Sequence, residues 1–249
     1  MIAGLSSFGP LAPHYDLLMA QIPYDMWAGY LRLLFAQMDA APEEILDVCC
    51  GTGTICELLA KEGFAMTGID LSPGMIAAAK EKAAEKELDI DYHVADASDF
   101  NLFRTFEAAC SFFDSFNYIT DPERLAMAFK CVARHLQPGS PFIFDLNTAY
   151  AFEQKMFDQS DTRKKAVIQY DWKGDYDPES RIIRVQMTFK KGEEIFHECH
   201  IQRAHPQDEV VSYLKQAGFT EIAVFESYTL DPPRRKSDRV HYACRLPFE

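Results

Sequence analysis

The stretch Glu43-Glu44-Ile45-Leu46-Asp47-Val48-Cys49-Cys50-Gly51-Thr52-Gly53-Thr54-Ile55-Cys56-Glu57-Leu58-Leu59-Ala60-Lys61-Glu62-Gly63-Phe64-Ala65-Met66-Thr67-Gly68-Ile69-Asp70 decides the fold. Ile45 to Cys49 is a short, mostly apolar run of the kind a buried parallel strand needs. After Gly51-Thr52-Gly53 the apolar spacing becomes helical, through Ile55, Leu58 and Leu59. A second strand runs from Phe64 to Ile69 and ends on an acid, Asp70, nineteen positions after Gly51. In a doubly wound sheet such an acid lies at the carboxyl edge beside the glycine turn, where it can accept hydrogen bonds from the hydroxyls of a ribose.

Without a β-carbon at Gly51 and Gly53 the backbone can take positive φ and approach a ligand closely, while the following helix turns free N–H groups toward it. Gly-x-Gly alone equally describes a tight strand-to-helix turn with no ligand; the matched acid at Asp70 favours binding. Two departures from the dinucleotide fingerprint narrow the ligand. The third glycine position holds Cys56, and an acid, Asp47, stands four residues before Gly51. An acid there is poorly placed beside a pyrophosphate and well placed beside a cation. S-adenosylmethionine carries a sulfonium and an ammonium. Asp47-x-Cys-Cys-Gly-Thr-Gly-Thr followed by Gly-Ile-Asp70-Leu-Ser-Pro-Gly-Met resembles the first two motifs of class I S-adenosylmethionine-dependent methyltransferases. The resemblance implies a Rossmann-like, doubly wound, seven-stranded, mostly parallel sheet of order 3-2-1-4-5-7-6. It also implies cofactor contacts from Asp47, Gly51, Thr52, Gly53, Asp70 and Leu71.

Composition bounds the remaining choices. The 249 residues suit one α/β domain with an insertion. Twenty-five basic against 38 acidic residues leave a net charge of −13, which disfavours a nucleic-acid partner and suits an enzyme of small molecules. The seven cysteines contain no Cys-x-x-Cys, so reduced, buried thiols of a cytoplasmic protein are expected and no metal site. No Lys or Arg precedes Arg32, as a signal peptide would require, and no apolar run approaches a membrane span. A monomer or homodimer is expected.

Along the chain, residues 1–10 are small, flexible types for which no packed element is expected. A short helix follows Pro13, and a second after Pro23 places Tyr24, Trp27, Leu31, Leu34, Phe35 and Met38 on one stripe. Residues 1–40 read either as helices packed on the sheet edge or as a cap over the cofactor cleft. In related small-molecule methyltransferases a Tyr-Asp pair, here Tyr15 and Asp16, reaches the methionine end of the cofactor. Ser72 caps the next helix, and Met75 lies either against the adenine or in the core. Ile90 to Val94 is a third strand leading to Asp96 and Ala97; the family places there an acid and a backbone N–H for the adenine, whereas an Asx turn is the plain alternative. Asp99 is expected to cap a helix. The fourth strand, Ala108 to Phe113, brings Phe112 and Phe113 to the cofactor, and Asp114 and Asn117 to its carboxyl end, where they would face the acceptor or fix the loop.

Asp121-Pro122 opens a helix to Leu136, and Pro141 to Leu146 is the fifth strand; up to there the pattern alternates β-α. From Val167 to His205 apolar residues recur with period two, broken by Asp177-Pro178-Glu179-Ser180 and Lys191-Gly192-Glu193. A three-stranded antiparallel meander is expected, preceded by a helical linker over 148–166. The layout is then a Rossmann-like unit over 41–150 and 206–249, with an inserted β subdomain over 151–205. Over nearly its whole length the chain resembles bacterial small-molecule methyltransferases with a β insertion after the fifth strand, among them N-methyltransferases of amino sugars. Their pattern Glu-x-His-x-x-Arg-Ala stands here as Glu198, His200, Arg203 and Ala204. Alternation puts Glu198, His200 and Gln202 on one face of their strand, which either roofs the cleft, making His200 a general base or acceptor-orienting group, or is simply solvated. Arg234-Arg235-Lys236 reads as a solvated loop or as an anion-binding rim. The expected activity is methyl transfer from S-adenosylmethionine to a small molecule, an amine nitrogen first. A non-catalytic nucleoside-binding module is the alternative, and Asp47 and Cys56 argue against a dinucleotide oxidoreductase.

Overall fold

The computed structural model describes residues 11–163 and 165–248; the expectation for residues 1–10 lies outside the described residues. A 3-10 turn at Ala12–His14, α1 (Tyr15–Leu18) and α2 (Tyr24–Gln37) precede β1 (Glu44–Val48). There follow α3 (Thr54–Lys61), β2 (Ala65–Asp70), α4 (Pro73–Glu85), β3 (Ile90–Val94) and β4 (Ala108–Ser111). A 3-10 turn at Ser115–Tyr118 and α5 (Pro122–Arg134) lead to β5 (Pro141–Asn147). Next come α6 (Ala149–Glu153), β6 (Gln159–Asp161), β7 (Gln169–Asp177), β8 (Ile182–Lys191) and β9 (Glu194–Arg203). The chain closes with α7 (Gln207–Gln216), β10 (Thr220–Glu226) and β11 (Arg239–Arg245).

Seven strands share one sheet in the order β10-β11-β5-β4-β1-β2-β3. Only β11 runs antiparallel to its neighbours. Leaving out the insertion, this is the 3-2-1-4-5-7-6 order that the resemblance implies. Every residue of β5 is buried, because each face of the sheet carries helices. Successive residues feed opposite cores: Ile45 packs with α2, α3 and α4 through Leu31, Leu34, Leu59 and Ile76, whereas Leu46 packs with α5 and α7 through Phe129, Val132 and Leu214. Burial of these apolar faces is the main source of stability.

Two elements differ from expectation. No helix separates β3 from β4; Asp99 N–H donates to the Asp96 carbonyl (2.9 Å), and Phe103 N–H to the Asn101 side chain (2.9 Å). Local Asx bonds compete with helix there, so Asp99 closes a turn rather than capping a helix. The inserted sheet has four strands, not three. Within 148–166 the helix ends after Glu153, and Gln159–Asp161 pairs with Tyr170–Trp172 on the edge of β7. Backbone pairing covers an exposed edge whatever the side chains, so three polar residues give no period-two signal.

On β9 the polar face is the buried one. Glu198, His200 and Gln202 are 6%, 3% and 1% exposed, whereas His197, Cys199 and Ile201 are exposed. Cys199 is thus exposed and Cys49 and Cys50 are half-buried, while Cys56, Cys110, Cys131 and Cys244 are the buried thiols expected.

Candidate active site

A cavity of about 1350 Å³ opens at the carboxyl edge of the sheet, between the glycine turn, α1–α2 and the inserted sheet. That exceeds the roughly 300–1,000 Å³ typical of a single small-molecule site, so two ligands fit. Asp47, Asp70 and Asp96, at or just beyond the tips of β1, β2 and β3, all line it. Three non-glycine residues at the neighbouring tips, Cys49 (φ 62°), Phe113 (φ 69°) and Asp114 (φ 50°), are left-handed, a strained conformation that collects at functional sites.

The glycine turn is held from two sides. Asp70 accepts from Gly51 N–H (2.9 Å) and Ser72 N–H (2.8 Å), and burial raises its pKa. Each carboxylate oxygen retains a lone pair for a ribose hydroxyl. Thr52 Oγ1 donates to Asp16 (2.5 Å), whose other oxygen pairs with Lys82 (2.6 Å), tying α1 to the turn and to α4. Asp16 therefore points at the protein, while its neighbour Tyr15 lines the cavity. Gly51 has φ +57°, and a β-carbon there would meet nothing within 4 Å. Asp47 is buried, and burial raises its carboxyl to about 7, opposed by Cys56, whose Sγ donates to it (3.2 Å), and by Cys110. Leu71, 65% exposed, and Met75 sit at the outer wall with Ala97. Asp96 accepts twice from Ser98 (2.9 and 2.7 Å) and pairs with Arg124. Partial burial pushes its pKa up, but the Ser98 bonds and the guanidinium outweigh this and hold it low. The Asx turn is thus formed, and Asp96 lines the cavity as well.

At the other end Phe112 and Phe113 form a wall, with Trp27 5.0 Å from the Phe113 ring. Asp114 accepts from Arg239 Nη2 (2.7 Å) and Gln202 Nε2 (2.7 Å), and its N–H donates to Asp145 (3.0 Å). Asp145 shares the same guanidinium. Burial raises both carboxyls, opposed by the arginine. From the roof, His200 reaches Tyr118 through Nδ1 (2.9 Å) and Glu198 through Nε2 (2.6 Å), and Tyr118 and His200 both line the cavity.

Two residues expected at the site stand elsewhere. Asn117 is fully buried: its amide donates to the carbonyls of Asn147 (3.1 Å) and Arg203 (2.8 Å) and accepts from Asn147 N–H (2.9 Å). It straps β9 to β5 and does not line the cavity. Gly53 does not line the cavity; the space a β-carbon would take is filled by Tyr92, whose Oη lies 2.1 Å from that point. Conversely Tyr118 and Arg239 line the cavity without having been expected there, and Gln202 lines it from the face of β9 that alternation left as either roof or solvated surface. The signal for Arg239 was Asp145, an acid inside an apolar strand, since a buried carboxylate requires a cation or hydrogen-bond donors.

This sheet, with acids at three adjacent strand tips around a glycine turn, has the architecture of class I S-adenosylmethionine-dependent methyltransferases. The methyltransferase domain family matches residues 45–139. YqeM of Bacillus subtilis, assigned provisionally as a methyltransferase, is 30% identical over 239 residues, 93% of this chain and 94% of its own length. An S-adenosylmethionine-dependent methyltransferase from Clostridium acetobutylicum superposes with a TM-score of 0.84 at 26% identity, over 97% of this chain and all of that one. A dTDP-3-amino-3,4,6-trideoxy-alpha-D-glucopyranose N,N-dimethyltransferase of Streptomyces venezuelae is 37% identical over 101 residues, 41% of each chain. The chain belongs to the S-adenosylmethionine-dependent methyltransferase family. Its cradle fits that cofactor: the open space over Gly51 admits a ligand against the backbone, and Asp47 offers a buried carboxylate to a cation.

Proposed function

We propose that the protein methylates an amine nitrogen of a small molecule in the cytoplasm. The observation that carries this is the buried group of Asp114, Asp145 and Arg239 at the acceptor end, two acids around a single guanidinium. An excess of buried carboxylate attracts a cationic acceptor and would repel an anionic one. The Streptomyces relative, named for dimethylating an amino sugar, supports the same class.

When bound, S-adenosylmethionine supplies an electrophilic methyl on a positively charged sulfur. Asp47 would balance that charge and Asp70 would hold the ribose, with Asp96 and the Ala97 N–H at the adenine. Tyr15, Phe112 and Phe113 would wall off water at the methionine end. Asp114 would orient the incoming amine, and His200 would lie on the path by which it loses its proton. Holding both reactants in line can contribute on the order of 7–11 kcal/mol to lowering the barrier.

The test is incubation with S-adenosylmethionine and a panel of amino sugars, simple amines, phenols and alcohols, read by mass spectrometry. One added methyl on amines, with S-adenosylhomocysteine formed in equal amount, is expected. Methylation confined to hydroxyl acceptors would refute the amine assignment.

A further inference from the structure

One face of the inserted sheet changes its chemistry from strand to strand. Register sets Glu198, His200 and Gln202 of β9 beside Met187, Val185 and Ile183 of β8, and Met187 in turn beside Trp172 of β7. Residues paired in register share a face, and Trp172, Met187, His200 and Gln202 all line the cavity. Where β9 is polar, β7 is aromatic. Tyr170 stands two residues before Trp172 on the same face, with the rings 5.0 Å apart, and both are half-buried along the cavity. Phe157, Ile168 and Met187 complete the lining there. The charged residues on that side, Asp161, Arg163 and Lys165, belong to the end of β6 and the loop after it. Arg163 holds Asp161 (2.9 and 2.6 Å) and, like Lys165, is exposed.

The two regions stand apart. Neighbouring strands lie about 4.8 Å from each other, which puts β7 about 10 Å from β9. The amine end of the proposed acceptor is at β9, where Gln202 Nε2 donates to Asp114 (2.7 Å). A cavity of about 1350 Å³ leaves space over β7 once the cofactor is seated, since a single small-molecule site takes roughly 300–1,000 Å³. An apolar group laid on these rings releases the water against them, which is the main favourable term that such a surface offers. We infer that the β7 face is a subsite for the acceptor, with Tyr170 and Trp172 as its specificity-determining residues. The acceptor is then an amine carrying an uncharged alkyl or aryl body about 10 Å from its nitrogen. The amine half of this rests on the function proposed above; the apolar half does not. A bare amino sugar, polar all round, would leave the rings uncovered.

Calorimetric titration of protein saturated with S-adenosylhomocysteine separates the two halves, with butylamine, octylamine, 1-butanol and 1-octanol as probes. Each methylene taken wholly from water is worth about fourfold in affinity, so octylamine is expected to bind at least about tenfold more tightly than butylamine. Most of that gain should disappear in Trp172→Ala and in Tyr170→Ala, with the Kd for S-adenosylhomocysteine within about twofold of wild type as the check on folding. Equal affinities for butylamine and octylamine overturn the subsite, and so does a gain that survives in both variants. Where a variant does not bind S-adenosylhomocysteine, the length series in the wild type decides. Displacement of octylamine by thymidine diphosphate would seat a nucleotide on these rings and overturns the apolar body. Alcohols that bind as tightly as the amines of equal length, with the gain from length intact, refute the amine reading and leave the subsite standing.

Discussion

Asp47 carries the sharpest single-residue expectation. Burial raises its carboxyl from 3.8 to about 7, so the folded chain holds this proton more tightly than the unfolded one. The resulting stabilisation is complete below about pH 4 and is lost as pH rises through about 7. Asp47→Asn cannot ionise and should lack that slope, giving a ligand-free protein that gains on the wild type between pH 5 and 8 in urea titrations. In its proposed role Asp47 meets the cofactor's positive charge as a carboxylate, so the affinity of the wild type for S-adenosylmethionine should fall as pH drops below about 7. Parallel stability curves for the two proteins would contradict the assignment. Asp70→Ala should weaken cofactor binding at least about tenfold by calorimetry, since a charge-assisted hydrogen bond contributes roughly 1.5–3 kcal/mol. The acids were legible because each follows an apolar run, and such runs mark strand ends. Tyr118 was not. In a 3-10 turn residues i and i+3 eclipse, which pairs Ser115 with Tyr118 on the cavity side and leaves Asn117 inside, but nothing in the sequence announces that turn over an α-helical one.

At the scale of elements, the β1–α3 junction depends on Gly53. Its φ of +78° disfavours any side chain, and Tyr92 fills the space of a β-carbon. Gly53→Ala should destabilise the fold by about 2–4 kcal/mol in denaturant titration, summing left-handed strain and overpacking. Adding Tyr92→Ala should relieve the clash only. The strap at Asn117 predicts a different phenotype. Asn117→Ala leaves buried carbonyls and an N–H without partners, each worth about 1–3 kcal/mol, so global stability should fall and amide exchange at Asn147 and the end of β9 should accelerate. Unchanged exchange there would show that the insertion docks without it. The insertion illustrates how far periodicity reaches: alternation gave the two faces of β9 correctly but not which one is buried. Hydropathy would have put Cys199 and Ile201 inside; Glu198, His200 and Gln202 are buried instead, each hydrogen-bonded, to the Leu11 N–H, Tyr118 and Asp114 respectively. Likewise β6, three polar residues on an edge, is set by backbone pairing that side chains do not encode.

Over the whole molecule the cavity draws its walls from three parts of the chain: the Rossmann-like sheet, the first two helices and the inserted sheet. A ligand at 100 times its Kd stabilises a folded protein by about 2.7 kcal/mol. S-adenosylhomocysteine at that ratio should do so here and should slow amide exchange not only at Gly51–Thr54 but also in Leu11–Ile22. Protection confined to the glycine turn would mean that the helices take no part in binding. Among the described residues no helix is long and apolar enough to cross a membrane. The burial of alternate side chains on β9 has an evolutionary corollary. Its ladder with β8 is made by the backbone, in register from Ile182–Arg203 to Lys191–Glu194, and is indifferent to what the side chains are. Inward residues such as Gln202, which line the cavity, can therefore be exchanged without cost to the ladder, so a lineage can reshape this wall while the glycine turn and its acids on the Rossmann-like sheet are inherited intact.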